Sequence, residues 1–183
     1  RKSDLAGAET MIGRALAIHE GVFGPENPEV AKDLAALAMV HLEGGRYPEA
    51  RDLSERALRI DEQALGPEDP TVAVDLDNLA SVLHRQGDFQ AAKPLYERAL
   101  KINRAAYDTN HQAIAQSLNN LSTLLQDMGE LGEALPMADQ ALRINEKILG
   151  PKHPLVAIAL NNQAYLLTEL GRYPEARTIG ERA

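Results

Sequence analysis

Apolar residues recur along this chain at helical spacing, and the pattern they make then recurs as a whole. Between Asp69 and Gln86, Ala73, Leu76, Leu79, Ala80 and Leu83 mark one face of a helix, while Asp77, Ser81 and His84 fall opposite. Asp69-Pro70 opens this run with a good N-cap and a proline at the first helical position, where a missing N–H costs nothing. Gly87 suits the left-handed residue that closes it. A second run starts near Phe89 and carries Ala92, Leu95, Ala99, Leu100 and Ile102. The unit from Gly66 to Tyr107 is therefore predicted to be two helices joined by a tight turn.

This unit repeats with a step of 42 residues. Gly24-Pro25-Glu26-Asn27-Pro28 stands one period before Gly66-Pro67-Glu68-Asp69-Pro70, and Gly150-Pro151-Lys152-His153-Pro154 stands two periods after it. The intermediate copy, from Asp108, has lost Gly-Pro and starts its first helix weakly at His111-Gln112. Gly45, Gly87, Gly129 and Gly171 keep the step, as do Ala50, Ala92, Ala134 and Ala176. A fixed period in this range means stacked helix pairs that bury their apolar faces against each other. The expected organisation is one array over residues 1–183. Residues 1–23, helical from about Leu5, form the second helix of a partial repeat. Full repeats span 24–65, 66–107 and 108–149, and residues 150–183 form a partial one. Pro94 and Pro136 lie beyond the first turn of their helices, where each should cost a backbone hydrogen bond and bend the helix. Both ends fall mid-pattern and the chain opens on Arg1, so a longer parent protein is expected.

Composition narrows the functional classes. Aromatic residues are only 4% of the chain against 44% apolar overall, so the core must be Ala, Leu, Ile and Val, which suits closely packed helices. A net charge of −8 argues against nucleic acid, whose phosphates call for a basic stripe. No apolar run reaches membrane-spanning length, and a cytoplasmic location is expected. Cysteine is absent, which removes disulfides and thiolate metal sites. His111 and His153 align with Asn27 and Asp69 as loop or cap residues; His19, His41 and His84 occupy different columns without a carboxylate at metal-ligand spacing. No phosphate loop or nucleophile elbow occurs, and Glu97-Arg98 recurs with the repeat, as a structural ion pair would. Neither catalysis nor a metal or other cofactor is expected.

Leu76-x-x-Leu79-Ala80-x-x-Leu83, followed by Gly87-x-Phe89-x-x-Ala92 and Ala99, resembles the tetratricopeptide repeat. The 42-residue form is similar to the repeats of kinesin light chains and their bacterial relatives, most closely at Leu118-Asn119-Asn120-Leu121 and Leu149-Gly150-Pro151-Lys152-His153-Pro154-Leu155-Val156. The resemblance implies an all-α, right-handed α-solenoid of antiparallel helix pairs, whose first helices line a concave groove that binds a protein or peptide. Carried over residue by residue, the groove positions are Lys32, Met39, Asp77, Ser81, Arg85, Gln116, Asn119, Asn120, Thr123, Asn161, Asn162 and Tyr165. One row of that groove also runs through Leu42, His84, Gln126 and Thr168, and another through Val74 and Ile158. Asn and Gln both donate and accept, so a ladder of them can grip an extended backbone, while Met39, Ile158 and Tyr165 hold apolar side chains. Asn78, Asn120 and Asn162 fit either the groove or a helix seam. Lys32 and Arg85 face Glu43, Asp77, Asp127 and Glu169, a balance unsuited to clamping a carboxylate. Gln163 stands in the column of Leu37, Leu79 and Leu121, so the last copy should pack differently or be adapted near a cut end. The alternative function is a sensor, oligomerisation or scaffold segment of a larger signalling protein, such as a nucleotide-binding ATPase. There the array would pack on another domain or on copies of itself.

Overall fold

The computed structural model describes residues 2–183, and among them the chain forms nine α-helices and no strand. They are α1 (Lys2–Phe23), α2 (Pro28–Glu43), α3 (Tyr47–Leu65), α4 (Pro70–Gln86), α5 (Phe89–Ala106), α6 (Gln112–Asp127), α7 (Leu131–Leu149), α8 (Pro154–Glu169) and α9 (Tyr173–Gly180). The starts of α2, α4, α6 and α8 share one device. Asn27, Asp69, His111 and His153 each accept a hydrogen bond from the backbone N–H two residues on. His111 takes the same cap position through Nδ1, at 3.2 Å against 3.0 Å for Asn27 and 2.8 Å for Asp69. Where Gly-Pro is missing, Tyr107 stacks on His111 with ring centroids 3.8 Å apart, and this contact braces the altered loop. Gly87, at φ 87°, closes α4 in the left-handed region that a side chain would oppose. Pro94 and Pro136 lie inside α5 and α7, which continue through both.

The helices group into two compact units, Arg1–Ile102 and Asn103–Ala183, with the division inside α5. In the first, α1 packs on α2, α2 on α3 and α3 on α4. Its core is Val30, Ala31, Leu34, Ala57 and Ile60, then Val72, Ala73, Leu76, Ala99 and Ile102. In the second, α6 packs on α7, α7 on α8 and α8 on α9, with Leu142, Val156 and Leu160 in one cluster. Each fully buried Leu or Ile stabilises by roughly 1.5–3 kcal/mol, and the interleaved alanines let helix backbones approach. Leu42 departs from the expected groove row. It is only 3% exposed, packed with Ala50, Val82 and Tyr47. Its column is otherwise His84, Gln126 and Thr168, and an apolar side chain gains from turning inward where those do not.

Successive second helices are also stitched at their surfaces. Arg56 bonds Glu20 at 2.8 Å and the Pro25 carbonyl; one period on, Arg98 bonds Glu62 at 2.6 Å and the Pro67 carbonyl. In the second unit Arg182 reaches Glu146 in the same register, while Arg104 donates to Gln140. The recurring arginine of the Glu-Arg dipeptide is thus an intra-array ion-pair residue.

Candidate functional site

The residues expected to bind a ligand project from the first helices of the helix pairs, and the two units present them differently. On α2 and α4, Lys32, Met39, Val74 and Arg85 are exposed, and Asp77 and Ser81 are half-buried. Lys32 is held by Glu29 at 2.6 Å. Ser81 hydrogen-bonds the hydroxyl of Tyr96, a core phenol pushed up to about 12 by burial. His84 lies edge-on to Phe89 and Tyr96. Ser81 and His84 therefore brace the helix pair as well as line its face.

On α6 and α8 the face is richer in amides. Gln116, Thr123, Asn161, Asn162 and Tyr165 are exposed, and Asn119 and Asn120 are half-buried. Gln116 donates to the Asn120 side chain at 3.0 Å, and Thr123 to the Asn119 carbonyl at 3.0 Å. Asn120 is thus tied along its own helix. Between α6 and α8 lies a cleft of about 150 Å³. Gln116, Asn119 and Asn162 line it with Leu155, Ile158 and Ala159, and Asn145 reaches it from α7. The structure brings three of the expected residues together there; Thr123, Asn161 and Tyr165 lie on the same two helices outside the cleft lining.

A further column, which the sequence reading passed over, runs through the seams between a second helix and the next first helix. His19 meets Asp33 at 2.6 Å; Asp61 bonds Asp75; Asn103 donates to Ser117 at 3.0 Å; Asn145 stands opposite Ala159. Burial pushes both carboxyls of the Asp pair up, and Asp75, with the Asp61 charge beside it, rises to about 8. The signal lay in the text: His19, Asp61, Asn103 and Asn145 each follow an Ile in the apolar stripe, and their counterparts each precede a Leu. Two histidines meet carboxylates across helices. His19 contacts Asp33 and, at 3.4 Å, His41 contacts Glu9, each on a neighbouring helix. Among the described residues no three potential ligands gather into a metal site. Gln163 packs differently, as its column predicts: it is 8% exposed, donates to Asp139, and borders a 220 Å³ cavity with Leu135, Leu167 and Arg172. No helix among the described residues is long and apolar enough to cross a membrane.

A family model described as Tetratricopeptide repeat matches residues 1–63, 34–105, 71–147 and 113–183. No curated protein sequence matches the chain significantly. Among solved structures, the chain is similar to a putative kinesin light chain with nearly identical TPR-like repeats from Podosopora anserina. That likeness has 23% identity, a TM-score of 0.83, and covers 99% of this chain and 85% of that one. BtubC (BKLC) from P. vanneervenii gives 22% identity and a TM-score of 0.82, over 97% of this chain and 71% of that one. A Rap protein complexed with Competence and Sporulation Factor gives 17% and 0.77, over 99% of this chain and 49% of the Rap protein, so this chain spans about half of that relative.

Proposed function

The chain belongs to the tetratricopeptide repeat family, and from that premise we propose that it is a non-catalytic module that binds an extended peptide segment of a partner protein on the exposed faces of its first helices. The observation that carries this reading is the α6–α8 cleft, where Gln116, Asn119 and Asn162 stand beside exposed Leu155 and Ile158. Amides that donate and accept can follow a peptide backbone, and neighbouring aliphatic side chains can take its apolar residues. On α2 and α4, Lys32, Met39, Asp77, Ser81 and Arg85 form the corresponding face. A Rap protein, similar in fold, is known complexed with Competence and Sporulation Factor, which supports a binding role for this chain. A cytoplasmic location belongs to the same proposal.

The test is capture from host lysate by the chain and by the Asn119→Ala/Asn161→Ala double variant, with melting temperatures measured in parallel. Partners kept by the wild type and lost by an equally stable variant support the face as the binding site; identical captures rule it out. A second reading, self-association or packing on another domain, is favoured by Met11, Ile18, Val22 and Phe23, all more than half exposed on α1. It predicts a mass that rises with concentration in sedimentation and is untouched by the double variant.

A further inference from the structure

We infer that the cleft between α6 and α8 selects a serine or threonine side chain of the bound peptide, with the Asn145 carboxamide as its hydrogen-bond partner. This deepens the proposed peptide-binding function and rests on it. Asn145 is 4% exposed and lines the cleft, yet its Oδ1 has no hydrogen-bond partner. A buried amide left in that state is destabilising, so the position favours anything that completes it.

Elsewhere the chain pairs the carboxamide of this column with a hydroxyl. One period earlier, in the equivalent seam, Asn103 Nδ2 donates to the hydroxyl of Ser117 at 3.0 Å, with both side chains buried. In the Asn145 copy the position of Ser117 is held by Ala159, which has no hydroxyl, and both Asn145 and Ala159 line the cleft. A hydroxyl brought by a ligand restores the pairing. Ser117 accepts from Nδ2, but a hydroxyl also donates, and a ligand hydroxyl in the cleft would donate to the unpartnered Oδ1. Leu155 and Ile158, 47% and 56% exposed at the rim, offer apolar contact for the methyl group of threonine. Gln116, Asn119 and Asn162 around the same opening supply partners for the peptide backbone on either side. A carboxylate side chain fits poorly, since no cation lines the cleft to offset its desolvation.

The experiment uses the whole chain and a library of N-acetylated, C-amidated nonapeptides, each position varied in turn through Ala, Val, Ser and Thr, with binding read by fluorescence anisotropy. The expected result is one position at which Ser and Thr exceed Ala and Val by about five- to tenfold, in binding that Asn119→Ala/Asn161→Ala abolishes. Ala159→Ser, which copies the Ser117 arrangement, should raise the melting temperature and erase that preference while the remaining affinity persists. Binding through Asn119 and Asn161 without hydroxyl selectivity, with Ala159→Ser acting on stability alone, would mean that the cleft holds solvent and would overturn this inference only. Selectivity that survives Ala159→Ser overturns it as well. Absence of peptide binding altogether sinks the proposed function and this inference together.

Discussion

The α3–α4 seam of the first unit and the α7–α8 seam of the second share one apolar frame and carry opposite chemistry. Ala57, Ile60 and Leu76 frame the first; Ala141, Ile144 and Leu160 occupy the same columns in the second, and all are at most 3% exposed. Inside the first frame stand two carboxyls, Asp61 and Asp75, which share a hydrogen bond and resist ionisation. Inside the second stand one carboxamide and an alanine, and both line a cleft. The difference separates two kinds of information in the repeat. The frame specifies how helices pack, and because it supplies most of the burial, one polar column within it is free to vary. Chemistry peculiar to each copy can therefore collect in that column without changing the fold.

Truncating the frame gives the largest expected effect. Leu76→Ala and Leu160→Ala should each destabilise by about 2–5 kcal/mol in chemical denaturation, since each removes a buried side chain from the same position in its seam. A large cost for one and almost none for the other would break the claim that the frames are equivalent.

The pH response should be smaller and should belong to the first seam. An unfolded Asp75 titrates near the ordinary 3.8, whereas the folded one holds its proton up to about 8. Between those values the folded state binds the extra proton, so this pair's contribution is full at acid pH and is lost as pH rises from about 4 to about 8. Asp61→Asn with Asp75→Ser transplants the Asn103–Ser117 pair into this seam. It should stabilise by about 1–3 kcal/mol at pH 8 and change little at pH 4, as read from melting curves across that range. An equal gain at both pH values would show that the pair acts by packing rather than by titration. The second seam has no carboxyl at these positions, and Asn145→Ala should change stability equally at the two pH values.

Helix order and helix ends were legible because local chemistry sets them. A cap, a first-position proline and a glycine at positive φ act within a few residues, as at Asp69, Pro70 and Gly87. The apolar frame was legible because the repeat aligned it four times. The polar surface was harder. Ser81 and Asn119 occupy adjacent copies of one helix face, yet Ser81 turns to a core tyrosine that is specific to its copy. Leu42 stood in a polar column and buried itself. The seam column was missed because its partners lie 14 residues apart on different helices, so no single helical stripe pairs Asn103 with Ser117. The cleft was hidden more deeply: Ala159 reads as an ordinary core residue, and only the buried amide across from it gives the lost hydroxyl a consequence.

The smallest predicted effect tests whether surface stitching contributes to the contrast between the seams. Arg98 bonds Glu62 at 2.6 Å and the Pro67 carbonyl at 2.9 Å, but both charged side chains remain about one-third exposed. Water and salt compete for such a pair, so Arg98→Ala should cost only about 0.2–1 kcal/mol, with the loss shrinking as salt is raised. Gln140→Ala removes the neutral partner of Arg104, and its cost should be nearly independent of salt. If instead Arg98→Ala cost as much as Leu76→Ala, the stitching would rank with the apolar frame in holding successive helix pairs together. Differences between copies at Glu62, Arg104 and Glu146 would then influence local stability as strongly as those in the buried column. The exposure of the ion pair argues against that, because a charge already in contact with water loses little when its partner is removed.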